Sequence, residues 1–156
     1  MEDLMKVASY ICTRYGDENG KAIDEMKLQG LLYMSQRESL IQNGEPLFDG
    51  VFYGWRFGPL LKEIHLAYKG HTLNEVVSQD TVDRMSSIMD KVFTQYSHKD
   101  PWSLSRLTLG ELSWKNSRVG IPDDVSMGNP MKLEDIREDA HRIKERREIL
   151  SYLGLL

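Results

Sequence analysis

Residues 26–68 constrain the fold more than any other part of this chain. A helical apolar stripe, a dense aromatic turn and a second helical stripe follow one another there with no linker between them. Leu28, Leu31, Leu32 and Ser35 fall at i, i+3, i+4 and i+7, one face of an amphipathic helix, with Tyr33 and Gln36 flanking it. Asp24 can accept from first-turn amides, and Gly44 can adopt the left-handed conformation that ends a helix. The spacing therefore predicts a helix over residues 25–43. Beyond it, Val51, Tyr53, Trp55 and Phe57 alternate after the turn signal Asp49-Gly50. This predicts a small β-hairpin or an extended loop laid over the helices, with strand confined to residues 47–56. If extended, the segment puts Trp55 and Phe57 on one face and Arg56 on the other; where the two rings face the core, Arg56 is left outside, beside Lys62. Pro59 suits the first position of a helix, since it has no N–H to leave unpaired. A third helix is expected over residues 59–68, with Leu60, Leu61, Ile64 and Tyr68 inward and Gly70 closing it.

The remaining periodicity is also helical. Leu4, Val7, Ala8, Ile11 and Tyr15 trace a first helix, capped by Asp3 and stopped at Gly16. Val82, Met85, Met89, Val92, Phe93 and Tyr96 mark a fourth, and Leu104 and Leu107 a short fifth with Trp114 packing back behind it. Residues 120–128 read as a loop. Asn129 and Pro130 then read as the start of a last helix over residues 130–153, apolar at Leu133, Ile136, Ala140, Ile143 and Leu150. The expected fold is mainly α: one compact domain over residues 1–156, five to six helices, and a short hairpin at most. Its expected core includes Leu28, Leu31, Leu32, Leu61, Ile64, Val92, Phe93 and Trp114.

A chain of 156 residues buries close to 70% of its unfolded surface, enough for one sizeable core. A net charge of −4 supplies no global attraction to nucleic acid or to anionic lipid. Cys12 is the only cysteine, which excludes an internal disulfide, and its place beside Ile11 predicts a small buried core residue. The first residues, Met-Glu-Asp-Leu-Met-Lys, lack the pattern of a secretory leader, and the longest apolar run is Leu31 to Met34. A cytoplasmic protein with no membrane partner is expected.

Signals for chemistry are sparse. His65, His71, His98 and His141 lie in different elements without HExxH spacing, and no Walker loop, GxGxxG or GxSxG occurs. No catalytic residue, cofactor or metal ligand is expected, and an enzyme is the minority reading. The basic run Lys144, Arg146 and Arg147, near Arg142, is balanced by Glu138, Glu145 and Glu148, as in a solvated, self-paired helix face. A second set, Lys27, Arg37, Arg56 and Lys62, is interleaved with Tyr33, Trp55 and Phe57. Those groups could hold phosphates and stack bases, or serve equally well as core.

Three ordered blocks carry a resemblance. Lys27-Leu28-Gln29-Gly30-Leu31-Leu32-Tyr33, Pro46-Leu47-Phe48 and Trp55-Arg56-Phe57-Gly58-Pro59 resemble the Panacea domain family of SocA-like antitoxins and GepA-type phage-associated proteins. A weaker match continues at Leu104-Ser105-Arg106-Leu107-Thr108 and Trp114, and the likeness is clearest over residues 7–117. The chain departs from the pattern at Gly30, where the family has Lys, and at Leu109, where it has His. The resemblance implies an antitoxin of a toxin–antitoxin pair, carried on a prophage or mobile element. Such a protein binds its cognate toxin and masks it, or hands it to a cytosolic protease. A DNA-binding transcriptional regulator is the runner-up, though no predicted helix offers a convincing recognition surface, and a small hydrolase or nuclease comes third. Protein interfaces are anchored by Trp, Tyr and Arg, so Tyr33, Tyr53, Trp55, Arg56 and Lys62 are the expected partner-binding residues.

Overall fold

Helix dominates the computed structural model, which describes residues 1–156. There are seven α-helices: α1 (Leu4–Asn19), α2 (Glu25–Asn43), α3 (Lys62–Lys69), α4 (Gln79–Val92), α5 (Pro101–Leu109), α6 (Leu112–Ser117) and α7 (Leu133–Tyr152). A π-helical turn, Phe93–Ser97, extends α4. Three short strands, β1 (Phe52–Trp55), β2 (Gly58–Leu61) and β3 (Met127–Pro130), form an antiparallel sheet of order β2-β1-β3. The mainly α architecture with a hairpin is the one the periodicity predicts; α6 is the helix beyond the five or six expected.

The centre of the molecule is α2. Asp24 caps it by accepting from the Lys27 amide at 2.9 Å, and Gly44 ends it at φ 72°, both as the sequence implies. The expectation of one buried face is too modest, because every residue from 27 to 40 is buried. The helix packs against α1, α3, α4, α5, α7, β2 and the π-helical turn, so between residues 27 and 40 no side of it meets water. A helix so enclosed would ordinarily be apolar all round. This one carries Lys27, Gln29, Gln36, Arg37 and Glu38 inside, and each has a partner, as buried polar groups require.

Those partners tie the fold together. The Lys27 ammonium donates to the Ser97 carbonyl at 3.0 Å. Gln36 accepts from the Leu47 amide at 2.8 Å and donates to the Phe48 carbonyl at 2.9 Å, clamping the segment before the sheet. Glu38 takes two bonds of 2.9 Å from Arg147 of α7. Arg37 pairs with Glu111 and donates to the Tyr96 hydroxyl at 2.8 Å. Between these polar links lie 25 buried apolar side chains in one cluster, including Leu28, Leu31, Leu32, Leu61, Ile64, Val92 and Phe93. Trp114 is half-buried against that cluster rather than within it.

Several boundaries differ from expectation. α1 runs through Gly16 to Asn19, ended instead by Gly20 at φ 68°. The hairpin turn is Arg56-Phe57, not Asp49-Gly50: Trp55 pairs with Gly58 and Phe52 with Leu61. β2 therefore takes residues expected to begin the third helix, and α3 starts at Lys62. Strand also extends beyond residues 47–56, because residues 127–130 add β3 to the free edge of β1. Pro130, expected to open the last helix, sits on this edge strand, where a missing N–H is tolerated, and α7 begins at Leu133. Cys12 is half-buried, not core, because its side of α1 borders a surface cavity with Ile23, Tyr68 and Leu73.

Candidate functional site

The hairpin β1–β2 builds the most distinctive surface of the protein. Successive strand residues point to opposite faces, and Phe52 sets the parity. Its ring enters the core, edge-on to Tyr33 at 5.6 Å and tilted against Phe48 at 6.1 Å. Gly54 shares that face and packs against α6, where a side chain would meet the Ser117 hydroxyl at 2.0 Å. Tyr53 and Trp55 consequently face outward and are half-buried, and Val51 is 50% exposed. Of the two placements the sequence allows, the inward one does not occur: Phe52 takes the core side, Trp55 faces outward, and Phe57 stands in the turn, seven residues beyond the Asp49-Gly50 signal.

Three rings form a ladder across the turn. Trp55 meets Phe57 edge to face at 5.0 Å, and Phe57 meets Trp102 of α5 in the same manner at 5.5 Å. Trp102 is 55% exposed. The Arg56 guanidinium lies over the Phe57 ring at 4.9 Å and the Lys62 ammonium over the Tyr53 ring at 3.9 Å. Neither cation pairs with a carboxylate of this chain.

The backbone beneath is pinned. The Trp114 indole donates to the Trp55 carbonyl at 2.8 Å, the Arg56 amide to the Ser126 carbonyl at 2.8 Å, and the Ser105 hydroxyl to the Phe57 carbonyl at 2.6 Å. Gly58 closes the turn at φ 134°, a conformation a side chain would strain, and its backbone lies against Thr108.

A groove of about 460 Å3 opens beside Trp55, floored by Met26 and Leu60 and walled by Leu66 and Met127. Its polar lining is Glu25, Lys62, His65 and Ser126, and His65 Nδ1 lies 2.7 Å from the Glu25 carboxylate. The size and apolar character suit a bound side chain or small ligand.

Of the expected partner-binding residues, Tyr53, Trp55, Arg56 and Lys62 share this face. Tyr33 does not. It has no exposed surface, and its hydroxyl lies 3.2 Å from both Ser113 and Asp139. Tyr33 is withdrawn from the surface for that reason: it faces a polar network inside the fold. Trp102, Leu66 and Met127 belong to the face and were not among the expected residues; Leu66 and Met127 carried no signal in the sequence. For Trp102 a clue was available, since Asp100-Pro101 starts a helix and places the next residue in an outer first turn.

The buried network around Tyr33 is the other concentration of titratable groups. Asp139 of α7 accepts from the amides of Leu112 and Ser113 at 2.8 and 3.0 Å, capping α6 from another helix. Burial pushes the neighbouring Glu111 carboxyl up to about 7, helped by Asp139 and opposed by Arg37. A carboxyl so perturbed can mark an active site. Glu111 lines none of the five principal cavities, however, and its partner Arg37, which also donates to the Tyr96 hydroxyl, holds structural elements together. No three His, Cys, Asp or Glu side chains converge in a way that could hold a metal ion. No helix is long and apolar enough to cross a membrane.

The blocks that carry the family resemblance are the ones that assemble this face. Gln29 bonds β2, Gln36 holds Leu47 and Phe48, and Ser105 and Thr108 of α5 support the hairpin turn. The family model described as "Antitoxin SocA-like, Panacea domain" matches residues 28–115, more than half of the chain, including the hairpin and the parts of α2 and α5 that support it. The chain belongs to the SocA-like Panacea domain family. Antitoxin SocA of Caulobacter vibrioides (strain NA1000 / CB15N) is 24% identical over 116 residues, which cover 69% of this chain and 62% of that relative. The match thus spans less than two thirds of the relative's own length. No solved structure matches the chain. Within the family pattern, Gly30 is explained by crowding: a Cβ there would lie 2.7 Å from the Leu104 side chain of α5.

Proposed function

We propose that this Panacea domain protein is the antitoxin of a toxin–antitoxin pair and neutralises a cognate toxin by binding it directly through the hairpin face. Family membership and the antitoxin relative support the antitoxin role. The observation that carries the binding surface is the ladder Trp55–Phe57–Trp102, left at the surface of a pinned hairpin beside two cations without carboxylate partners. Aromatic and Arg side chains dominate interface energetics, and a rigid presentation lowers the ordering cost of association. The action is non-catalytic: binding masks the toxin in the cytoplasm, or brings it to a protease. The whole chain works as one domain, within a gene pair of a prophage or mobile element.

DNA binding has less support. Arg147, the strongest basic candidate of α7, is spent on buried Glu38, and Arg137 donates to the Gly44 carbonyl at 2.7 Å. The test is to express this chain with the product of the neighbouring small gene. Rescue of growth and co-purification of a stoichiometric complex are expected. Toxicity unrelieved by the chain, with no complex formed, would refute the reading.

A further inference from the structure

The groove beside Trp55 is more specific in chemistry than a general contact surface. Its apolar lining, Met26, Trp55, Leu60, Leu66 and Met127, calls for an apolar insert, and the two methionines give it walls that adapt in shape. Its polar lining is Glu25, Lys62, His65 and Ser126. Glu25 is the only carboxylate in the lining, and it is engaged by His65 at 2.7 Å. Lys62 lines the groove and Arg56 stands on the adjoining turn. Each is held over an aromatic ring, so each is oriented without being neutralised. With Arg56 this edge carries two cations to one carboxylate on a chain of net charge −4, so these cations call for a local acidic complement that the chain's overall charge does not account for. The groove also runs into the ring ladder through Trp55, giving a surface longer than a small molecule would cover.

We propose that this groove receives a segment of the toxin that inserts a large apolar side chain against Leu60 and Met127 and presents an aspartate or glutamate to Lys62 and Arg56. The assignment rests on the antitoxin reading and adds to it the chemistry of the docked segment. Leu66 is 71% exposed on the groove wall, and Lys62 is exposed on the rim, so both can be changed without opening the core.

The experiment uses the full chain and 15-residue peptides tiled across the neighbouring gene product, with affinities for peptides and intact toxin measured at low and high salt. Peptides combining an acidic residue with a large apolar one should bind, and more weakly as salt rises. Lys62→Glu and Leu66→Asp should each weaken toxin binding by roughly tenfold or more, with unfolding midpoints unchanged. Exchanging the implicated toxin carboxylate for lysine should restore affinity to Lys62→Glu. If both variants bind toxin within twofold of wild type while Trp102→Ala weakens it, the groove assignment falls and the antitoxin reading stands. Equal binding of uncharged apolar peptides overturns the charge complement. Failure of the intact neighbouring protein to bind at all overturns both.

Discussion

The side chain of Gln29 stands in for a missing strand beside Leu61. Its Nε2 donates to the Leu61 carbonyl at 3.1 Å while its Oε1 accepts from the Leu61 amide at 2.9 Å, the two bonds a neighbouring strand would make. β2 is an edge strand, and α2 covers that edge at Leu61 with one amide group. Gln29→Leu keeps the approximate volume and orphans both backbone groups. Each buried unsatisfied group costs about 1–3 kcal/mol, so the variant should lose several kcal/mol in urea unfolding with little change in native helix content.

Phe52, not Trp55, is the core aromatic of the hairpin. Phe52→Ala should cost about 3–5 kcal/mol, as deletion of a fully buried ring does. Trp55→Ala should cost distinctly less, since that ring is half-buried, while weakening toxin binding. Calorimetric unfolding of both variants, together with toxin titrations, separates the two roles; a larger destabilisation from Trp55→Ala would contradict the parity of the strand.

Arg147 neutralises a carboxylate that has almost no contact with water. Arg147→Met leaves Glu38 with only the Gln42 amide at 3.0 Å, and stability should fall by about 3–5 kcal/mol. The double variant Glu38→Gln with Arg147→Met should recover a substantial part of that loss. Denaturation of these two variants and of Glu38→Gln alone checks the cycle.

Stability should depend on pH through Glu111. In the unfolded chain this carboxyl ionises near 4.5; in the folded protein burial raises it to about 7. Between those values the folded state holds a proton that the unfolded state lacks, so stability falls as pH rises. The contribution is complete below about 4.5 and lost above about 7. Glu111→Gln should flatten this part of the stability profile between pH 5 and 8. A wild-type profile with the same slope as the variant would contradict the assignment.

Burial raises the Cys12 thiol from 9.0 to about 11. Only the thiolate reacts with disulfide reagents, so labelling at pH 8 should be slower than for a free thiol by roughly a hundredfold. Urea unfolding should abolish the difference. Rapid labelling of the native protein would show that its side of α1 is more open than described.

The helices were legible where local chemistry decides them. Asp24 and Gly44 bracket α2, and the Met85–Met89–Val92 spacing marks α4, because caps and periodicity need only neighbouring residues. The sheet was less so, since its pairings are decided elsewhere in the chain. Asp49-Gly50 carries a turn signal, yet the pairing of Phe52 with Leu61 moves the turn to Arg56-Phe57. β3 reads as the end of a loop and the start of the last helix because Gly128, Asn129 and Pro130 have poor strand propensity, and only the open edge of β1 recruits them. Most opaque were the buried charges of α2. A helix is assumed to keep its charged residues in water, and nothing near Glu38 in sequence announces Arg147, 109 residues away. At the candidate site, four of the five expected residues share one surface because they belong to one hairpin and the residue after it. Tyr33 fails because an aromatic polar tip serves a buried network as well as an interface.

The enclosure of α2 has a consequence for how long a molecule survives in the cell. Elements on nearly every side close on this helix, so freeing it means displacing most of the protein at once. Its central amides should therefore exchange hydrogen only through global opening, in step with one another. A degradation machine that must pull on α2 then meets a substrate that yields completely or not at all. Its lifetime follows the equilibrium of the whole chain when reclosing outpaces cleavage, and the unfolding rate when it does not.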